Sequence, residues 1–193
     1  MITHIQGKLT EKNPTHVVID CNGVGYMLNI SLHTYSQIPE GELLKLYTHL
    51  QVKEDAHTLY GFSSLAEREI FRLLISVSGI GTSIARTMLS SLTPKQVREG
   101  IAVGDVALIQ SIKGIGAKTA QRVIIELKDK ILKIYDIDEV SVSKDNTNKD
   151  EALSALEVLG FVKKQAERVV EKILKAEPDA NVETIIKQAL KNL

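Results

Sequence analysis

The sequence has few of the residues that several classes of site require. It contains no tryptophan and one cysteine, and only 4% of its 193 residues are aromatic. Recognition of single-stranded nucleic acid on a platform of stacked rings therefore has little material here. Cys21 cannot form an internal disulfide, and its place at the end of an apolar run predicts a buried thiol in a reducing compartment. Because the chain shows neither a leader-like start nor an apolar run of membrane-spanning length, we expect a cytoplasmic protein with no membrane partner.

Net charge is also lacking, but the charges are unevenly distributed. The chain has 24 basic and 24 acidic side chains. Residues 1–62 carry 4 basic and 6 acidic ones, residues 63–135 carry 11 and 6, and residues 136–193 carry 9 and 12. A basic segment between two acidic ones is typical of a protein in which only the middle faces a polyanion. We therefore expect residues 63–135 to contact nucleic acid.

The first sixty residues alternate apolar and polar side chains at a period of two, which predicts strands. Turn-forming residues divide them into five runs: Ile2–Leu9, His16–Cys21, Tyr26–Ile30, Leu43–Val52 and His57–Phe62. Five strands in so short a segment favour a small closed barrel over residues 1–62, because closure removes exposed edges.

The periodicity becomes helical at Ser64, which has capping-box spacing to Glu67. Thr93 and Pro94 predict a second helix start, and the pattern from Ala117 to about Tyr135 predicts one long helix. Residues 136–149 are polar and predict a flexible linker. Residues 150–193 carry three amphipathic stretches that predict a three-helix module. The expected fold class is therefore α+β and multidomain, with the helical segment spanning residues 63–135.

The helical segment contains an internal repeat with an offset of 35 residues. A shift of that length places Leu74-x-x-Val77-x-Gly79-Ile80-Gly81-x-x-x-Ala85 on Ile109-x-x-Ile112-x-Gly114-Ile115-Gly116-x-x-x-Ala120. Each copy predicts a helix, a tight turn with glycines around an aliphatic residue, and a second helix. One such tripeptide is a weak signal, whereas two in register with matching apolar flanks are a strong one.

Each predicted turn is suited to holding an anion. Glycine permits the positive φ that lets backbone N–H groups converge, and the following helix adds its unpaired N–H groups and positive dipole end. We expect Ile80 and Ile115 to tuck into the core of their hairpins, and binding to be indifferent to base sequence. More cations flank the second turn than the first, so we expect it to bind more strongly. The candidate DNA-binding residues are Gly79, Ile80, Gly81, Ser83, Arg86, Lys113, Gly114, Ile115, Gly116, Lys118, Thr119 and Arg122. The alternative is that both turns are plain helix connectors.

No pattern in the chain predicts catalysis or a cofactor. Gly116-Ala117-Lys118-Thr119 resembles the end of a phosphate-binding P-loop, but Ala117 stands where the P-loop requires glycine, and no glycine lies five residues before it. The five histidines show no metal-ligand spacing with each other or with Cys21. We therefore expect a non-catalytic protein with no cofactor and no metal.

The order of these segments, with several short motifs, resembles the RuvA family, whose members act on Holliday junctions. The motifs are Asn22-Gly23-Val24-Gly25-Tyr26, Val52-Lys53-Glu54-Asp55-Ala56, Leu59-Tyr60-Gly61-Phe62 and Lys113-Gly114-Ile115-Gly116-x-Lys118-Thr119-Ala120. The resemblance implies an OB-fold barrel, tandem helix-hairpin-helix units and a homotetramer on four-way DNA, with either one or two tetramers on each junction. It also implies that the C-terminal module binds the RuvB ATPase, with the RuvC resolvase as a further partner in recombination and repair. Ser83 departs from the lysine common among relatives, which puts side-chain help at the first hairpin in doubt but not backbone capture.

The resemblance gives two further groups of residues a role. By their sequence alone, Glu54 and Asp55 are solvated acids at a hairpin tip, whereas the family implies an acidic pin at the junction centre. Leu156-Glu157-Val158-Leu159-Gly160-Phe161 resembles the loop of ubiquitin-associated three-helix bundles, so the candidate partner-binding residues are Leu156, Leu159, Gly160 and Phe161. A plain solubilising cap is the alternative for that module.

Two rival functions remain open from the sequence. A repair nuclease or glycosylase could use helix-hairpin-helix units to hold its substrate, but it would need carboxylates near the turns, and Glu126 and Asp129 lie ten or more residues beyond Gly116. A general single-strand binder would rest on the barrel alone.

Overall fold

The strands at the start of the chain close into a barrel. The computed structural model describes residues 1–39, 41, 43–132, 148–178 and 180–193. The strands are β1 (His4–Asn13), β2 (His16–Cys21), β3 (Val24–Asn29), β4 (Leu43–Val52) and β5 (His57–Phe62). Their order is β1-β2-β3-β5-β4, and the pairing of β1 with β4 closes the barrel. Only β3 and β5 pair in parallel. β2, β4 and β5 match their predicted runs, while β1 continues to Asn13 and β3 begins at Val24.

Alternate side chains of the strands fill the barrel. Val17, Ile19 and Leu28 are completely buried, and Leu46 is 1% exposed. The period-two pattern therefore points one face of each strand at the core. The five strands form a small closed barrel, which confirms the fold class predicted for the first segment.

A short helix that the sequence pattern did not predict follows β3. This helix, α1, spans Leu32–Gln37 and begins where Ser31 Oγ accepts a 2.9 Å hydrogen bond from the Thr34 N–H. Six residues make fewer than two helical turns, so no apolar periodicity can reveal the helix. α1 contacts the helical segment, since the Leu32 N–H donates to Ser90 Oγ at 3.0 Å.

Between the barrel and residue 132, the described residues form five helices: α2 (Leu65–Ser76), α3 (Thr82–Ser91), α4 (Pro94–Val103), α5 (Val106–Gln110) and α6 (Ala117–Leu132). Thr93 caps α4 with a complete capping box to Gln96 and proline at the helix start, as predicted. At α2 the predicted box forms only by half. Ser64 Oγ accepts from the Glu67 N–H, but the Glu67 carboxylate accepts from the Ser63 N–H instead of returning to Ser64. The reason is that Glu67 has other partners on α1, described below.

The barrel has a hydrophobic core of its own and also contributes two residues to the core of these helices. Tyr60 and Phe62 of β5 belong to the same buried cluster as the helices, and their rings lie 5.1 and 4.9 Å from the ring of Phe71 in α2. Phe71 is completely buried. Apolar packing thus connects the barrel directly to the segment that carries the repeat.

The last part of the chain forms a separate three-helix unit. Contacts divide the chain into Met1–Asp138 and Glu139–Leu193. The second unit contains α7 (Asn148–Val158), α8 (Lys163–Ala176) and α9 (Val182–Asn192) around a core of its own, which confirms the three predicted helices. α7 begins within the predicted linker, whose residues 136–147 lie outside the described residues, as do 133–135 of the predicted long helix. In the described parts of the chain, no helix is both long and apolar enough to span a bilayer.

Candidate nucleic-acid interface

The two glycine turns have the same backbone geometry. Gly79 has a φ of 95° and Gly114 a φ of 94°. Residues other than glycine rarely adopt this backbone conformation. The backbone hydrogen bonds of the turns also repeat at the 35-residue offset, in these pairs: Ile80 N–H to Val77 O (3.0 Å) with Ile115 N–H to Ile112 O (3.1 Å), and Ala85 N–H to Gly81 O (3.0 Å) with Ala120 N–H to Gly116 O (2.9 Å). The sequence repeat is therefore a repeat of structure.

Each turn buries its aliphatic residue and exposes its glycines. Ile80 is 4% exposed and Ile115 5%, so both fill the hairpin core as predicted. The four glycines of the turns are exposed. A Cβ added at Gly81 or Gly116 would meet no atom within 4 Å. The corners of both turns thus face open space from which a ligand backbone can approach.

The helix that follows the first turn begins without a side-chain cap. Its N-cap is Gly81, which can make no side-chain bond, and its first turn contains no acidic residue. Ser64, Thr93 and Asp105 cap α2, α4 and α5 with side-chain oxygens. The first turn of α6 also lacks an acidic residue. A helix start without a side-chain acceptor leaves its N–H groups and dipole end available to an external anion.

The two hairpins pack against each other reciprocally. A Cβ added at Gly79 would lie 3.7 Å from the side chain of Thr119, and one added at Gly114 would lie 3.6 Å from Ile84 Cγ1. Ile84 and Thr119 are themselves equivalent at the offset of 35 residues. Each turn therefore rests on the second helix of the other hairpin, which relates the two by an approximate two-fold axis. This position also puts Thr119, a predicted DNA-binding residue, between the hairpins.

The cations of the second hairpin lie close to both turns. Lys113 and Lys118 flank Gly114 and Gly116, and both are exposed. The Arg122 side chain is 52% exposed, and its Nη1 donates to the carbonyl of Ser78 in the first turn at 3.3 Å. Arg122 thus brings positive charge from the second hairpin to the first.

Arg86 has protein partners rather than a free guanidinium. Its Nη1 donates to Asn29 Oδ1 at 2.9 Å and to the Thr15 carbonyl at 3.4 Å, both in the barrel region. Sequence reasoning could not find these contacts, because 57 and 71 residues separate the partners. Ser83, the other side chain predicted for this hairpin, is exposed. The first hairpin is therefore anchored to the barrel and offers an anion mainly its backbone.

The acidic pair lies at an exposed hairpin tip. Glu54 and Asp55 connect β4 to β5, and the Lys53 N–H donates to the Ala56 carbonyl at 2.9 Å to close the tip. Both acidic residues are exposed. The barrel thus presents two carboxyl groups on the same unit as the glycine turns.

In the C-terminal unit the predicted partner-binding residues divide between core and surface. Leu156 is completely buried, and Phe161 is half-buried against the same core. Gly160 has a φ of 95°, and Leu159 is 58% exposed. Leu156 therefore supports the loop rather than forming its surface. Val158 and Val162, which sequence reasoning missed, are 85% and 62% exposed and extend the apolar surface of Leu159. The consecutive apolar residues across Gly160 were the available signal, because they break the helical period.

Among the described residues, no group of three or more histidine, cysteine, aspartate or glutamate side chains could hold a metal ion.

Comparison with known proteins covers almost the whole chain. The family model "RuvA N terminal domain" matches residues 1–61, "SAM-like Helix-hairpin-helix tandem" matches 71–129, and "RuvA, C-terminal domain" matches 147–193. The "Holliday junction branch migration complex subunit RuvA" of Flavobacterium psychrophilum is 70% identical over the full length of both chains, and that of Christiangramia forsetii is 68% identical over the full length. The protein of the same name from Cytophaga hutchinsonii is 50% identical over 99% of each chain.

Proposed function

Because this chain belongs to the RuvA family, we propose that it binds four-way DNA junctions as a subunit of a branch migration complex. The observation that carries the proposal is the pair of matching glycine turns. Both turns are exposed, both have a positive φ at the first glycine, and each packs on the other hairpin. Such turns hold phosphate oxygens through main-chain N–H groups and touch no base edge.

Ten of the twelve residues predicted from the repeat have one of four functions in this proposal. The glycines present backbone amides, and the buried Ile80 and Ile115 anchor the turns. Lys113, Lys118 and Arg122 supply positive charge that strengthens the hold on phosphate. Arg86 positions the first hairpin through the barrel. The second hairpin binds phosphate more strongly, since it carries the exposed cations.

The assembly follows from the family and from the acidic tip. We infer a homotetramer in which residues 1–62 form the centre and residues 63–135 hold the arms, with one or two tetramers on each junction. Glu54 and Asp55 then face the point where strands exchange. Their negative charge repels the phosphates there, which keeps the junction open and disfavours continuous duplex.

The C-terminal unit provides the contact to the motor. In this proposal residues 136–149 link the DNA-binding part to residues 150–193, whose exposed apolar loop around Leu159 binds the RuvB ATPase. The subunit itself is non-catalytic and takes no cofactor, and RuvC is a further partner. We infer that the subunit acts in the cytoplasm.

The proposal is tested by affinity at one fixed salt concentration. We expect a four-way junction to bind more tightly than linear duplex of the same sequence, and single strands to bind weakest. Junctions of unrelated sequence should bind equally, because only phosphates are contacted. Equal affinity for junction and duplex would contradict the proposal. Cleavage or base release in the presence of magnesium would favour a repair nuclease or glycosylase instead, and preference for single strands would favour a barrel-based single-strand binder.

A further inference from the structure

The joint between the barrel and the hairpins contains a completely buried glutamate that sequence patterns had explained only as a helix cap. Glu67 has no exposed surface. Its Oε1 accepts from Ser31 Oγ at 2.5 Å, and its Oε2 accepts from Thr34 Oγ1 at 2.6 Å. The backbone N–H and the hydroxyl of Ser63 also donate to Oε2, each at 3.2 Å. One carboxylate thus ties together α1, the end of β5 and the start of α2.

A group buried in this way is not there to cap a helix. Ser64 already accepts from the Glu67 N–H at 3.1 Å, so α2 is capped by another side chain. Removing a carboxylate from water is costly unless its oxygens are hydrogen-bonded, and here all four donors lie within 3.2 Å. Buried polar networks that are fully bonded specify one arrangement of the elements around them.

The other polar contacts across the joint are less buried: Tyr60 Oη donates to Thr82 Oγ1 at 3.0 Å, Arg68 Nη1 to the Thr3 carbonyl at 3.0 Å and Arg86 Nη1 to Asn29 Oδ1 at 2.9 Å. The rings of Tyr60, Phe62 and Phe71 form the apolar part of the joint, and hydrophobic attraction is itself non-directional. Short hydrogen bonds to an ionised group have a preferred distance and direction. α1 also transmits the arrangement to the first hairpin, because the Leu32 N–H donates to Ser90 of α3. The partners of Glu67 therefore supply the completely buried contact that helps to set the angle between barrel and hairpins.

From this geometry we infer that Glu67 is a positioning residue for junction selection: it fixes the acidic tip relative to the glycine turns. The inference rests on the proposed function, in which the tip must meet the strand exchange point while the turns hold the arms. Linear duplex does not require both contacts in one register. A looser joint should therefore weaken the preference for junctions without removing phosphate contacts.

The test compares Glu67→Ala with Glu67→Gln in the full-length chain. Alanine removes the acceptor of the Thr34 and Ser63 hydroxyls, while the Ser63 N–H keeps Thr34 Oγ1 as an acceptor at 3.2 Å. Glutamine keeps one acceptor oxygen for those donors, and its amide can donate to Ser31 Oγ. We expect the ratio of junction to duplex affinity to fall about tenfold in Glu67→Ala, the scale of one lost hydrogen bond to a charged group, and to be largely restored in Glu67→Gln. The salt dependence of duplex binding should be unchanged, because it counts phosphates.

Glu99→Ala is the matched control, since it makes the same charge change in a neighbouring helix, α4. Glu99 is 50% exposed and pairs with Lys95 of the same helix at 3.8 Å. Its junction preference should equal that of the wild type. Thr34→Val, which removes one donor with little change of volume, carries the test if Glu67→Ala does not fold. A fall of about tenfold is expected here too, because the lost hydrogen bond is to the same carboxylate.

The possible results distinguish a failure of this inference from a failure of the proposed function. A wild-type protein without junction preference would refute the proposed function. A wild-type protein that prefers junctions, together with Glu67→Ala and Thr34→Val variants that keep that preference, would overturn the inference alone. Equal losses of junction and duplex affinity in a variant that is shown to be folded would also overturn it, because the joint would then affect phosphate binding in general and not junction selection.

Discussion

Replacing Gly114 by valine tests the phosphate-binding turn without altering its charge. The φ of 94° is strained for any side chain, and such a residue costs about 1–3 kcal/mol in the native state. Space is not the obstacle, because the added Cβ would lie at an ordinary 3.6 Å from Ile84 Cγ1. The strain is relieved only if the backbone rotates, and rotation turns the amides of the corner away from the ligand.

The expected result has two parts. Thermal stability should fall by about 2–4 °C for each kcal/mol of strain. Junction affinity should fall steeply, and the slope of log affinity against log salt should decrease by about 0.9 for every phosphate that the protein no longer binds. If each of four subunits releases one phosphate, the slope changes by about four units. Filter binding or fluorescence anisotropy between about 50 and 200 mM salt measures the slope in the range where it is steep.

Gly23→Val is the control for strain alone. Gly23 has a φ of 89° in the barrel, and a Cβ there would meet no atom within 4 Å. It should lose comparable stability and keep both junction affinity and salt slope. If Gly114→Val bound junctions with wild-type affinity and slope, capture by the backbone of this turn would be refuted.

Four further predictions concern other parts of the chain. Lys118→Ala should weaken binding equally for all DNA sequences and reduce the salt slope by about one unit per subunit, measured as above. Glu54→Gln with Asp55→Asn should raise duplex affinity relative to junction affinity in direct competition, because phosphate repulsion at the tip is removed. Leu159→Ser should leave junction affinity unchanged but reduce stimulation of RuvB ATP hydrolysis, because it removes an apolar contact. Burial, followed by the nearby Arg72 and Arg68, lowers the pKa of His49. The neutral ring therefore stabilises the fold above pH 6.5, and this stability is lost as the pH falls through the lowered pKa. The melting temperature of His49→Gln should vary less with pH than that of the wild type.

Three of these predictions have a control on the same type of residue. Lys95→Ala removes a cation that is 73% exposed on α4 and should not alter the salt slope. Leu190→Ser removes an exposed leucine from α9 and should keep motor stimulation. His4→Gln removes an exposed histidine and should keep the wild-type pH profile of melting. Tighter duplex binding by the wild type than by the neutralised tip would contradict the role of the acidic pair.

Local patterns were sufficient to predict the regular elements and the repeat. Strand alternation placed β2, β4 and β5, and the spacing of Thr93 and Pro94 placed the start of α4. The glycine turns were predicted because their signal is entirely local: a backbone conformation that needs glycine, followed by a helix. Duplication then distinguished this signal from chance.

Contacts between distant segments were not predictable in the same way. The Ser31 and Thr34 hydroxyls meet Glu67 across 36 and 33 residues, and Arg86 meets Asn29 across 57. No periodicity links such partners, since the fold alone brings them together. α1 was missed because it is too short to show a helical period. The burial of Leu156 was consistent with its helical spacing, but spacing does not distinguish a core leucine from one that binds a partner.

Amide NMR spectra of the full-length chain during titration with four-way junctions test phosphate capture by the turns most directly. We expect the amide signals of residues 79–83 and 114–118 to shift most, and two junctions of unrelated sequence to shift them equally. Unmoved signals at both turns, or shifts that depend on base sequence, would contradict it.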